Sequence, residues 1–456
     1  MTTDFSTLSL PKAMLHNLGE LGYKQMTPVQ AQSLPAVLQN RDVIAQAKTG
    51  SGKTAAFGIG VLNKLDVKKF NVQSLVLCPT RELAEQVAKE LRKLARFTHN
   101  IKIMTLCGGT AFGPQLGSLR HGGHIVVGTP GRVLQHLEKG SLRLDALHTL
   151  VLDEADRMLD MGFIEELSKV IAYAPQQRQT LLFSATFPET IQELSSGIQS
   201  DPLFIETVAD EPHNKITERF YDVSRDEKLD TVVKILSTYR PERSIVFCNT
   251  KIESRDLADA LHQRGIDALA IHGDLEQFER VDVLVQFANR SCSVLVATDV
   301  AARGLDIKEL EAVINYDLPQ DEAVYTHRIG RTGRAGETGM AFTLFTGDEA
   351  IEADGYRNGT RLFEEAEELK SRDNFSLKPP NVTLVIEGGK KDKVRPGDLL
   401  GALTGEAGIA GQYVGKIDIY DRQSYVAIER TMIDEAYKQL KNGKIKGKKF
   451  PVWVLE

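Results

Sequence analysis

The chain has 456 residues, a length for about three domains, and its 42% hydrophobic and 26% charged residues are ordinary for a globular protein. Its net charge of −6 excludes nucleic-acid binding by bulk charge, so such binding must come from local basic patches. No apolar run reaches the ~18 residues of a membrane span, and the N-terminal MTTDFSTLSLPKAM lacks the basic start and apolar core of a secretory signal. The four cysteines, Cys78, Cys107, Cys248 and Cys292, are far apart, which reads as buried reduced thiols of a cytoplasmic protein.

From about residue 41 to 205, short aliphatic runs alternate with helical stretches: RDVIAQ, SLVLCP, KIMTLCG, HIVVGTP, TLVLDE and TLLFSAT. Continuous apolar strands alternating with helices predict a parallel sheet covered on both faces. Between the first run and the helix TAAFGIGVLNKL lies Ala47-Lys48-Thr49-Gly50-Ser51-Gly52-Lys53-Thr54. Strand, small-residue loop and helix start are the context of a phosphate-binding P-loop, where backbone N–H groups and the helix N-terminus converge on anionic oxygens. Lys53 is placed to bridge the β- and γ-phosphates and Thr54 to ligate Mg2+. Ala47 stands where the general motif has glycine. Asp153-Glu154-Ala155-Asp156 directly follows the apolar run TLVL, and a carboxylate at a strand's end faces the crevice where parallel sheets bind ligands. Asp153 is assigned Mg2+ through water, and Glu154 the role of base or positioner for the attacking water.

The polar ETVADEPHNKI reads as a linker. After residue 216 the rhythm restarts with RFYDVS, SIVFCNT, ALAIHG, SVLVATD, AVINYD and GMAFTLF. Residues 348–373, with LFEEAEELKSRD, are acidic and read as an exposed helix. Beyond Lys378-Pro379-Pro380 the pattern VTLVIEG, a helix from Pro396, GKIDIYD, SYVAIE, IDEAYKQLKNG and FPVWVL predicts a βαββαβ sandwich.

The DEAD tetrapeptide gives the chain its resemblance: it is similar to the DEAD-box RNA helicases. Other motifs follow in that family's order. Phe5, Gly22-Tyr23 and Thr27-Pro28-Val29-Gln30 resemble its adenine-reading Q motif. Gln30 offers an amide that can donate and accept at a base edge, and Tyr23 a ring to stack. Pro79 to Ala84, Gly108-Gly109, Thr129-Pro130-Gly131-Arg132 and Ser184-Ala185-Thr186 come next. The second half supplies His272-Gly273-Asp274, Gln277 with Arg280, Ala297 to Asp306, and His327 to Arg334. The match runs from about residue 5 to 345. It implies two RecA-like lobes, ATP as substrate, and a nucleotide site of Phe5, Tyr23, Gln30, residues 47–54 and Asp306. Arg331 and Arg334, three apart and on one face of a helical turn, become arginine fingers supplied by the second lobe. Ser184, Thr186 and His327 fall in the coupling role. Thr80, Arg81, Gly109, Thr129, Arg132, Thr250, Gly273, Arg280, Thr298 and Arg303 are of types suited to phosphate and sugar, with no base-edge code.

The resulting fold class is α/β, two RecA-like parallel-sheet lobes (1–208 and 216–370) followed by a small α+β RRM-like domain (381–456). The last domain carries Lys390, Lys391, Lys393, Arg395, Lys438, Lys441, Lys444, Lys446, Lys448 and Lys449, the strongly basic stretch of an acidic chain. It resembles the RNA-binding tail of the bacterial DbpA-type helicases. That resemblance implies a hairpin of large-subunit ribosomal RNA as target and pre-ribosomal particles as partners. RRM domains stack bases on aromatics of their two central strands. Here the usual RNP1 pattern is absent, and GKIDIYD and SYVAIE offer Tyr420 and Tyr425. A tethered tail raises the concentration of the core near its target to roughly millimolar. An ATP-gated RNA clamp, or a general RNA chaperone without a single ribosomal target, uses the same motifs; a DNA helicase is disfavoured by the DEAD and Q motifs.

Overall fold

The computed structural model describes residues 3–47, 50–207, 216–302, 310–333, 338–369, 375–405 and 408–455. Lys48, Thr49, Arg303, Asp306 and Arg334 lie outside them. The described residues form two compact units, one drawn from 3–207 and one from 216–455.

The first unit is a seven-stranded parallel sheet of β1 (Val43–Gln46), β2 (Ser74–Leu77), β3 (Ile103–Leu106), β4 (Ile125–Gly128), β5 (Thr149–Asp153), β6 (Gln179–Ser184) and β7 (Leu203–Glu206). The spatial order is β3-β4-β2-β5-β6-β1-β7. The central β2, β4, β5 and β6 are buried along their whole length. Helices cover both faces, which is why these strands are near-continuous aliphatic runs.

The second unit repeats this plan. Its large sheet comprises β8 (Ile216–Asp222), β9 (Ser244–Cys248), β10 (Ala268–Ile271), β11 (Val294–Thr298), β12 (Ala312–Asn315), β13 (Gly339–Phe345) and β14 (Leu362–Glu365). The order β10-β11-β9-β12-β13-β8-β14 is that of the first sheet with every strand replaced by its counterpart. The restarted rhythm is thus a duplicated topology.

One expectation fails here. The described part of the acidic segment 348–373, residues 348–369, is not an exposed helix: it holds a short helix, Ala350–Asp354, and then β14, paired to β8 at the sheet's edge. Glutamates favour a helix, but tertiary partners outweigh them. Phe363 stacks on Phe220 with centroids 4.7 Å apart, and Glu364 accepts hydrogen bonds from Arg219 and from the Tyr221 hydroxyl.

The C-terminal part is βαββαβ as expected: β15 (Asn381–Ile386), a helix Pro396–Thr404, β16 (Val414–Ile419), β17 (Ser424–Glu429), a helix Ile433–Asn442 and β18 (Val452–Val454), in antiparallel order β16-β17-β15-β18. Leu384, Ile386, Val426 and Ile428 face its own helices and make the core with Leu399, Leu403, Ala436 and Leu440. The alternate residues face the other way, onto the second unit's helix Gln277–Ala288. Val385 and Tyr425 pack on Val285, and the Tyr425 hydroxyl donates to Asp282 Oδ1 at 2.8 Å. The Asn289 amide donates to Thr383 Oγ1 at 3.2 Å, and the Asn381 amide to the Asn289 carbonyl at 2.9 Å. The C-terminal sheet is therefore docked on the large-sheet unit rather than loosely tethered to it.

This docking carries a prediction. Val285 is 3% exposed within an apolar contact, and an aspartate there puts a carboxylate against Val385 with no partner, at a cost of several kcal/mol. Val285→Asp should release the C-terminal domain and expose residues 375–381 to limited proteolysis. An unchanged cleavage pattern would show that the contact contributes little.

Candidate nucleotide and RNA sites

In the first unit the strand order brings three motifs side by side, because β1, β6 and β5 are neighbours. Ala47, at the end of β1, donates its N–H to the Ser184 carbonyl at 2.8 Å. The following loop turns through left-handed Gly50 and Gly52 (φ 86° and 94°). At Gly52 the left-handed conformation disfavours a side chain, and a Cβ would lie 2.5 Å from Gln30 Nε2, which would have to move. The helix Lys53–Asn63 starts there with Thr54 in its first turn. Lys53 is 6% exposed and its Nζ donates to the Ala47 carbonyl at 2.8 Å, folded back across the loop. Ser51 Oγ is buried with no hydrogen-bond partner among the described residues. A cradle of N–H groups, an ammonium and an unsatisfied hydroxyl fit a polyphosphate.

Asp153 ends β5 and is buried. Burial pushes its carboxyl up to about 7 against the pull of the Lys53 ammonium. Together with the Thr54 hydroxyl, that donor set suits Mg2+. Glu154 is buried and sits in the left-handed region at φ 53°, a conformation uncommon for a non-glycine residue and concentrated at functional sites. Arg157 Nε is 3.4 Å from its Oε2.

Asp156, to which the sequence assigned no role, joins two motifs. Its Oδ2 accepts from the Thr186 N–H at 2.9 Å, the Thr186 hydroxyl at 3.0 Å and the Ala185 N–H at 3.2 Å, while its own N–H reaches Ser184 Oγ at 3.2 Å. Burial opposes its ionisation, but the Thr186 N–H, the Lys53 charge and the two hydroxyls hold the carboxyl below the usual range. Ser184 and Thr186 are thus bonded directly to the DEAD segment.

The Q-motif residues serve the loop as well as any base. Gln30 Oε1 accepts the Thr27 N–H at 3.0 Å and its Nε2 donates to the Gly52 carbonyl at 3.0 Å. One N–H and one lone pair of the amide remain. Phe5 is buried, edge-on to Tyr23, whose hydroxyl donates to Glu90 at 2.9 Å.

The residues assigned to RNA also converge. Thr80, Gly109 and Thr129 follow β2, β3 and β4, which are neighbours; Thr250 and Gly273 follow the counterpart strands β9 and β10, and Thr298 ends β11. Thr80, Thr129 and Thr250 each stand immediately before a helix, so helix N-termini point where phosphates would lie. Arg81 Nε bonds Glu85 at 2.8 Å, and its buried Nη1 has no hydrogen-bond partner among the described residues. Arg280 Nη1 donates to the His272 carbonyl at 3.3 Å, beside Gly273. Arg132 is turned inward, to the Thr110 carbonyl at 3.0 Å and Gln115 Oε1 at 3.2 Å, and so braces the turn carrying Gly109.

In the second unit Arg331 is buried at the end of the helix Glu322–Ile329, with His327 one turn before it. Arg328, missed by the sequence reading, anchors that helix. Its guanidinium donates to both Asp299 oxygens (2.9 and 2.6 Å), to Asn249 Oδ1 (2.9 Å) and to the Asp317 carbonyl (2.9 Å). Asn249 and Asp299 adjoin Thr250 and Thr298, so the loops assigned to RNA from the sequence are bonded to the helix that precedes Arg331.

Comparison with known proteins agrees. Residues 27–194 match the DEAD/DEAH box helicase family, 227–336 the helicase conserved C-terminal domain, and 383–454 the DbpA RNA binding domain. The ATP-dependent RNA helicase DbpA of Escherichia coli is 53% identical over the whole of both chains. The chain belongs to the DEAD-box helicases, in the DbpA subgroup. It is an ATP-dependent RNA helicase with an added RNA-binding domain. The DEAD-box ATP-dependent RNA helicase CshA of Geobacillus kaustophilus is 42% identical over 85% of this chain and 81% of that one. Among solved structures, S. cerevisiae Dbp5 bound to RNA and ADP BeF3 is similar with a TM-score of 0.72 and 29% identity, over 80% of this chain and 96% of that one.

Within this helicase's RNA-binding domain the two basic segments meet. Lys446 Nζ donates to the Lys393 carbonyl at 3.1 Å. Lys390, Lys391, Lys393, Arg395, Lys444, Lys446, Lys448 and Lys449 are all exposed, and form one basic patch from loops far apart in sequence. Tyr425, in contrast, is 3% exposed and turned onto Asp282, so it is not available for base stacking.

Proposed function

We propose that this helicase uses ATP to unwind or remodel short duplexes beside a large-subunit ribosomal RNA hairpin held by its C-terminal domain, during ribosome assembly in the cytoplasm. The observation that carries this reading is the joined basic patch around Lys393 and Lys446, on a domain whose sheet face is already occupied by protein contacts. Basic loops that recognise phosphates and RNA shape suit a folded hairpin; a covered sheet does not suit splayed single-stranded bases.

The division of labour follows the chain: residues 1–208 hold ATP, residues 216–370 complete its site on closure, and residues 381–456 address the RNA. Lys53 and the N–H groups of the P-loop hold the β- and γ-phosphates, with Gln30, Phe5, Tyr23 and Asp306 at the base and ribose. Glu154 accepts the proton of the attacking water; Arg331 and Arg334 face the charge that develops on the γ-phosphate. Thr54 and Asp153 would hold Mg2+, and the ion would supply positive charge against the phosphates. Asp156 connects hydrolysis to Ser184 and Thr186, and Arg328 connects Arg331 to the RNA loops.

The test compares the full chain with residues 1–378. Without the C-terminal domain, ATP hydrolysis at saturating unspecific RNA should persist, and the preference for ribosomal RNA fragments should vanish. Each lysine removed from the patch should flatten the log–log salt dependence of binding by about 0.7–0.9. If residues 1–378 still prefer the same fragment, the core carries the specificity.

A further inference from the structure

We propose a base-stacking seat for single-stranded RNA on Phe278, at the seam between the helix Gln277–Ala288 and the docked C-terminal sheet. It rests on the reading of the C-terminal domain as the RNA address. Phe278 is 67% exposed. A buried contact does not explain it, and no motif role above uses it.

Its place in the fold follows from helix geometry. Residues four apart share a face, so Phe278 lies one turn before Asp282, the residue that accepts the Tyr425 hydroxyl. It therefore lies on the docking face, one turn toward the helix N-terminus from Asp282. The ring of Tyr420, 39% exposed, is edge-on to Tyr425 with centroids 5.4 Å apart. The Tyr420 carbonyl accepts the Lys390 N–H at 2.8 Å, so the basic patch begins beside it. On the other side, the helix bearing Phe278 is preceded by the loop of Gly273. The chain of neighbours from Lys390 through Tyr420, Tyr425 and Asp282 leads to the helix turn that bears Phe278, and a strand following it toward the Gly273 loop would pass that ring.

Local charge determines what part of the strand sits there. Asp274, Glu276, Glu279 and Asp282 surround Phe278 in sequence, and Asp274 is paired with Lys251 at 2.8 Å. Carboxylates repel phosphates, so the backbone must be held on either side, by the patch and by the Gly273 loop. What remains for Phe278 is the neutral face of a base. Stacking of this kind tolerates any base, as a strand joining an addressed hairpin to an arbitrary duplex requires. A basic protein segment is the other occupant an aromatic flanked by carboxylates would accept, and the test separates the two.

The probes are a large-subunit ribosomal RNA stem-loop extended by an oligouridine strand, the same RNA with abasic sites in that strand, and oligouridine alone. Each is titrated by fluorescence anisotropy against the full chain and its Phe278→Ala, Phe278→Leu and Phe278→Trp variants. Removing the bases, or the ring, should weaken binding of the extended stem-loop by roughly 5- to 100-fold. Phe278→Trp should restore it and Phe278→Leu should not, with melting temperatures unchanged because the side chain is exposed. The increment should be insensitive to salt, unlike the stem-loop's own affinity. Equal affinity for the abasic and intact strands overturns the seat and leaves any Phe278 partner to be a protein. If the stem-loop does not bind but oligouridine still binds the unaltered chain more tightly than the Phe278→Ala variant, the seat stands and the hairpin assignment falls.

Discussion

Glu154→Gln is expected to keep ATP and RNA bound while slowing turnover by about 10²–10⁴, the usual contribution of a general base. The side chain is 5% exposed and held in a left-handed turn directly after the buried end of β5. Glutamine keeps its size and hydrogen-bonding reach, so the loop conformation should survive. What it loses is the carboxylate that takes a proton from the attacking water. Its contact with Arg157 is an ion pair at 3.4 Å, and an amide oxygen can still accept there, so the fold should tolerate the change. Single-turnover hydrolysis measures the rate, and titration with a fluorescent ATP analogue measures binding. Loss of nucleotide affinity, or hydrolysis at the wild-type rate, would contradict the role given to Glu154.

Arg331→Ala should have a still larger effect on RNA-stimulated hydrolysis, on the order of 10³–10⁵ where such fingers are measured in other NTPases. Its nucleotide affinity without RNA should be unchanged, because Arg331 belongs to the second unit and the phosphate cradle to the first. Lys53→Ala should fail differently. Lys53 lies within the cradle, 2.8 Å from the Ala47 carbonyl, and its ammonium is the fixed charge of that loop, so its removal should weaken ATP binding with or without RNA. Arg331 is buried, so a melting curve accompanies the kinetics, and Arg331→Lys keeps the charge while losing the planar fork. Equal losses of nucleotide affinity in the Lys53 and Arg331 variants would defeat the two-lobe division of labour.

The motifs of the first unit were legible because they are local. A P-loop needs a strand, a glycine turn and a helix in immediate succession, and residues 43–63 supply them. What each polar side chain does within those motifs was less legible. Gln30 and Arg132 both belong to motifs that suggest ligand contact, yet both hold a loop: Gln30 the Gly52 carbonyl and Arg132 the Thr110 carbonyl. Asp156 and Arg328 gained roles for the same reason, since their partners lie at or just beyond the ends of strands distant in sequence.

The sequence by itself determined two parallel-sheet lobes, the motifs carried at their strand ends, and a basic βαββαβ domain at the end. These rest on contiguous patterns: buried strands such as Leu75–Leu77 or Ile245–Phe247 are apolar at every position, and DEAD follows such a strand directly. The tertiary structure alone decided the edges and the docking. β7 and β14 are counterparts, each the outermost strand beside β1 or β8, and both escaped the sequence reading. Half-exposed edge strands such as LFIE and LFEE carry too little apolar pattern to announce themselves, and β14 is fixed by Phe220, Arg219 and Tyr221 from elsewhere in the chain. The placement of Tyr425 against Asp282, and of Lys446 against Lys393, likewise depends on a few contacts between distant segments. Each such contact is set by how whole elements pack, which local hydrophobic periodicity does not encode.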